Sequence, residues 1–206
     1  MAGFIDILRT GAWLTRERMR LVAFALLAAF VLGAGFLIAT SNGLNDRFGR
    51  PLGTDFYNVY AAGTYVLDGE PAAPFDPARQ FAREQTIFGQ ATQFYGWHYP
   101  PFFLGLAGLL ATMPYWLALI AWQGMTLLLY LLAIRAIVSP HPEVTSDHLW
   151  LLLALAFPAV FINLGQAHNG FLTAALIGAA LTQLDSRPLV AGMLIGLLAT
   201  SRSSGC

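Results

Sequence analysis

Lysine is absent from this chain; all eleven basic residues are arginine. Cysteine occurs once, as the terminal Cys206, which excludes disulfides and cysteine-built metal sites. Charge is scarce, at 11% of 206 residues against about 25% in an ordinary soluble domain. It also sums to zero, so there is no basic surface to attract nucleic acid. No internal repeat is visible, which removes the usual signature of a solenoid or of many transporters. What the chain has in quantity is apolar surface: 57% of residues are hydrophobic and the mean hydropathy is +0.61. One core of this size cannot hide that much, so the expected solvent for the rest is a bilayer.

Read in order, the chain predicts an all-α polytopic membrane protein with about five spans. Residues 1–20 hold Arg9, Arg16, Arg18 and Arg20, with Phe4, Ile5, Leu8 and Trp13 placed to line one side of an interfacial helix. An uncharged run over 21–40 gives about 30 Å of helix, one bilayer crossing. The arginines before it place the N-terminus in the cytoplasm. Residues 41–114 form a large outer loop with short helices, one capped by Thr54 and a second over 78–88. Its last part, 102–113, is a juxtamembrane or re-entrant helix, too short to cross comfortably. Further spans follow at 115–138, 148–163, 171–184 and 189–200, with Pro158 near the outer end of the third. On this assignment Gly53-Thr54-Asp55-Phe56, Trp97-His98-Tyr99-Pro100-Pro101 and Gly165-Gln166-Ala167-His168-Asn169 share the outer face. Were 102–113 to cross fully, the last of these would face the cytoplasm.

Those three motifs carry a resemblance. GTDFYNVYAAG from Gly53, then YPP before an apolar run, then GQAHN at a span junction, resemble glycosyltransferase family 87 over about Thr54–Thr200. The resemblance implies the N-terminal part of a C-type membrane glycosyltransferase fold. It implies a polyprenyl-phosphate sugar donor, with mannosyl transfer the best-known activity, and a glycan or lipid acceptor. It also assigns Asp55 the catalytic position. The family's Lys-Pro-Gln motif is missing; Ser201-Arg202-Ser203 stands there. One legal coding of residues 201–206, read one base earlier, gives Lys-Pro-Gln-Phe-Gly-Leu. A truncated or frameshifted chain is therefore expected, with little or no transfer above an empty vector. The Arg-only, GC-biased composition points to a bacterial inner membrane.

Transfer from a lipid phosphate needs a base for the acceptor hydroxyl and donors around the departing phosphate. Asp55, an acid just outside the membrane at a helix start, suits the first role, although such an Asp is often only a dipole partner. His98 either bonds a phosphate or sugar hydroxyl, or belongs to an aromatic belt with Trp97 and Tyr99. Gln166, His168 and Asn169 lie between spans, where polar groups also hold helices together. Tyr57 and Tyr60 either stack on sugar or pack. Arg79 and Arg83, one turn apart, either face a phosphate or form a solvated face. The spacing of His98 and His168 makes no metal site, and no metal or cofactor is expected. The competing readings are a transporter or flippase subunit and a non-catalytic membrane scaffold.

Overall fold

The computed structural model describes residues 9–11 and 13–198 and is helical, without strands among them. The expected interfacial positions Phe4, Ile5 and Leu8, and the tail 201–206, lie outside the described residues.

Helix α1 spans Arg16–Ala39 and starts where the Thr15 hydroxyl accepts the Arg18 amide. Only Ala23 in it is buried. A helix apolar all round with a single buried residue is built to face lipid. The loop region then holds α2 (Tyr57–Leu67), α3 (Pro77–Phe88, capped by Asp76) and α4 (Phe103–Ala111). Next come α5 (Tyr115–Val138), the single turn α6 (Pro142–Thr145), α7 (Leu149–Ala156), α8 (Pro158–Gln166), α9 (Gly170–Gln183) and α10 (Pro188–Leu198).

Two of these helices, α1 and α5, are long and apolar enough to cross a membrane. The expected single helix over 148–163 is instead a broken pair: α7 and α8 meet at Phe157 with a bend of 51°. Pro158 causes the break, because it offers no N–H and its ring collides with the carbonyl four residues earlier. That freed carbonyl, of Ala154, is reached by the Tyr130 hydroxyl of α5 at 3.4 Å. Taken as one span, the pair is a third crossing. Helix α9, at 14 residues, falls short of the roughly 20 that a crossing needs, and α10 is described over 11 residues.

Contacts fix the relative directions. Arg16 and Arg20 both pair with Asp147 before α7, and Phe30 stacks on Phe161 at 4.6 Å, so α1 and α7–α8 run side by side in one direction. Gln123 meets Leu164 while Tyr130 meets Ala154, so α5 runs the opposite way. Tyr130 packs on Phe171, and Gly178 lies against Ala133 and Ile137, which aligns α9 with α5. Residues 53–55 and 164–168 therefore gather at one end of the bundle, and Asp147 with the start of α1 at the other.

The core does not lie between the long helices. It sits at the loop end, where Phe56, Tyr57, Phe88, Trp97, Phe103, Tyr115 and Trp122 form one aromatic cluster with Ala107 and Ala167. Helix α2 crosses α4 so closely that a Cβ on Gly63 would overlap the Ala107 carbonyl and stand 2.9 Å from the Ala111 methyl.

Candidate active site

The site is assembled from main chain before any side chain matters. Gly53 adopts φ +74°, and an added Cβ would stand 2.7 Å from a Leu119 methyl and 3.1 Å from that of Ala167. Only glycine combines that conformation with that approach. The Tyr115 hydroxyl donates to the Leu52 carbonyl at 2.5 Å, fixing the entering chain from α5. Two residues on, the Asp55 amide donates to the Gln166 carbonyl at 2.8 Å. That bond ties the first motif to the last. It places the two motifs at the same end of the bundle.

The α8 end supplies the other half. Ala167 is left-handed at φ 56° and buried, which ends α8 and turns His168 outward. The terminal carbonyls of α8 are not left to chance. Gln123 donates its amide to the Leu164 carbonyl at 2.6 Å and lies 3.4 Å from that of Asn163. Sequence reasoning passed over Gln123; the available signal was a lone amide inside an apolar helix, which usually finds a backbone partner.

The Asp55 carboxylate then sits 3.8 Å from His168 Nε2, with 23% of the Asp55 side chain and 55% of the His168 side chain exposed. That separation is too long for a hydrogen bond but close enough for the two groups to face the same reacting atoms. Burial raises the Asp55 pKa above the ordinary carboxylate value, and the nearby His168 partly offsets the rise. The Tyr99 hydroxyl is pushed up to about 12, by burial first and by the Asp55 charge second. Burial is also the first cause of the raised Tyr57 pKa, with the charges of Glu84, Tyr95 and Asp55 adding to it.

The remaining expected residues divide. Tyr57 is fully enclosed, donating to the Gln93 carbonyl at 2.5 Å, and Tyr60 donates to the Met113 carbonyl at 2.8 Å with its ring edge-on to Tyr115. Both are held as packing residues. Gln166 is exposed, and its carbonyl is the part the fold uses. Asn169 is half-buried at the start of α9 without a side-chain capping bond. His98 is exposed beside Gly96 and is not brought into bonding contact with Asp55. Thr54 does not cap α2, which begins at Tyr57 after a turn. Arg83 bonds Asp68 and Thr64 and lies over the Tyr65 ring, and Arg79 pairs with Glu70, so each already has a carboxylate partner.

A family model for glycosyltransferase family 87 matches residues 97–202, just over half of the chain. The chain belongs to glycosyltransferase family 87. No curated protein and no solved structure matches it. Family 87 membership and the apolar helices make it a membrane glycosyltransferase, a type that works between a sugar donor and an acceptor. The matched stretch contains His98, Tyr99, Gln166, His168 and Asn169. Asp55 lies outside it and is joined to it by the Gln166 carbonyl.

Proposed function

We propose that this family 87 chain carries a site for transfer of a hexose, with mannose the first candidate, from a polyprenyl-phosphate sugar to a glycan or lipid acceptor, with Asp55 in the place of the general base. The reading places the site on the outer face of a bacterial inner membrane, with the N-terminus in the cytoplasm. One observation carries it: the Asp55 carboxylate, half-buried yet open, fixed by its own amide to the family's GQAHN turn and facing His168.

The chemistry is a displacement. An acceptor hydroxyl gives its proton to Asp55 as its oxygen bonds the anomeric carbon. The bond from that carbon to the phosphate oxygen breaks, and the polyprenyl phosphate leaves with the electron pair. Attack opposite the leaving group inverts the anomeric centre. His168 and the Tyr99 hydroxyl are the donors available to the sugar or the departing phosphate. A base raised by burial holds the acceptor proton more strongly than a solvated Asp.

Donor binding is the direct test. Purified chain in nanodiscs, given labelled polyprenyl-phosphate mannose, should retain it saturably and release it to excess polyprenyl phosphate. His168→Ala should weaken retention by about tenfold, the worth of one hydrogen bond to a charged group. Asp55→Asn should keep the donor while abolishing any transfer above empty membranes. Retention no greater than that of empty nanodiscs overturns the donor assignment, and transfer that survives Asp55→Asn overturns the base.

A further inference from the structure

The loop region contains a carboxyl group that the proposed chemistry does not use. Glu84, on α3, is fully buried, and so is Gln80 one turn before it. Glu84 Oε1 accepts from Gln80 Nε2 at 3.1 Å, and its Oε2 accepts the Tyr95 amide at 3.2 Å. Gln80 also donates to the Asn58 carbonyl, and Asn58 donates its side-chain amide to the Gly96 carbonyl at 3.1 Å. Tyr57 completes the set by donating to the Gln93 carbonyl. Thus the irregular segment 93–99, which ends in His98 and Tyr99, hangs on three side chains: Tyr57 and Asn58, two and three residues after Asp55, and Glu84. Its aromatic rings pack against the same frame, Tyr95 on Tyr57 and Phe94 on Phe81.

We propose that Glu84 is a positioning residue for the Asp55 site, holding the 93–99 segment against α2 while its carboxyl is neutral and releasing it as the carboxyl ionises. The role in catalysis rests on the Asp55 reading; the latch itself does not. Two features besides burial support it. Among the described residues the carboxyl has no cationic partner, since Arg83 on the same helix turns to Asp68 and Thr64, and Arg79 to Glu70. The titratable groups facing it are Tyr57 from α2 and Tyr95 from the segment. The same network also holds, among the described residues, two buried acceptors with no donor, Gln80 Oε1 and Asn58 Oδ1.

Burial pushes the Glu84 pKa from 4.5 up to about 7, against the two hydrogen bonds it accepts from Tyr95 and Gln80. A carboxyl whose pKa is higher in the closed form binds its proton more tightly there. Closure is therefore strongest below pH 4.5, weakens as pH rises through the interval to 7, and loses nothing further above it. The full interval amounts to at most a few hundredfold in the open-to-closed ratio.

Hydrogen exchange of the intact chain in nanodiscs tests this from about pH 4.5 to 8, with rates at the Tyr95 amide divided by those of an unstructured peptide at each pH. The protection factor should fall by at least tenfold across that interval. In Glu84→Gln, which keeps an acceptor but cannot ionise, it should stay high and flat. In Asp55→Asn it should fall as in the wild type. A flat wild-type profile overturns the latch, and so does a step that persists in Glu84→Gln or disappears in Asp55→Asn. A latch that titrates as described in a chain that binds no polyprenyl-phosphate mannose would leave the latch standing and remove the transferase reading beneath it.

Discussion

Replacing Gly63 with alanine sets two effects of known sign against each other. In the middle of α2, alanine improves helix propensity by about 1 kcal/mol. The added methyl, however, would overlap the Ala107 carbonyl of α4 and stand 2.9 Å from the Ala111 methyl. A carbonyl in a helix cannot rotate aside as a side-chain end can, so α2 and α4 must separate. Overpacking of this kind costs about 3 kcal/mol at the upper end of its usual range, leaving a net loss of about 2 kcal/mol. For a chain of this size that lowers the melting temperature by roughly 4–8 °C. Gly105→Ala is the matched control, since it lies in α4 with nothing within 4 Å of its added methyl. It should leave the melting temperature unchanged or raise it. Both variants and the wild type are compared by intrinsic fluorescence in one detergent at one scan rate. A Gly63→Ala protein that melts with or above the wild type refutes the close crossing of α2 and α4.

Gly53→Ala should cost about 2–4 kcal/mol, from a left-handed alanine plus the push on Leu119 and Ala167, and should weaken donor binding more than Gly105→Ala does, read as nanodisc retention. Gln123→Leu should loosen the GQAHN turn by about 1–3 kcal/mol by leaving the α8 carbonyls unpaired, seen as faster exchange at the Asp55 amide. The Asp55 carboxyl, followed by NMR of the labelled side chain, should titrate with a midpoint above that of an ordinary Asp because burial raises it; a midpoint at or below the ordinary value contradicts the burial. That raised pKa also makes the folded site least stable on the alkaline side of the same interval, the opposite of a salt-bridged carboxylate.

Much of this arrangement was legible in the residues. A bilayer follows from composition; the grouping of GTDF with GQAHN was an expectation of the span assignment, and in the structure the two are bonded at the Asp55 amide. The break after Phe157 was only half visible. Pro158 announces that hydrogen bonds must be lost, but not the 51° bend between α7 and α8. The Thr54 cap was expected from local chemistry, but Gly53 and the Gln166 carbonyl took over that stretch and moved the start of α2. The buried acid was missed for a similar reason. On α3 attention falls on Arg79 and Arg83, yet Gln80, Glu84 and Phe88 are spaced four apart and form the buried row. A row carrying two polar residues looks solvent-facing until partners distant in sequence, Asn58 and Tyr95, cover it.

The placement of the aromatic core bears on how such a chain is made. Its members run from Phe56 to Ala167, so the segment after α1 cannot complete its packing until α8 has been synthesised. At ribosomal speeds of about 5–20 residues per second, Trp97 and Tyr99 meet Phe103 within about a second, but Gly53 waits roughly 6–23 seconds for Ala167. For that interval the nascent loop is open to proteases and to chaperones, and Gly53 closes against Ala167 only near its end.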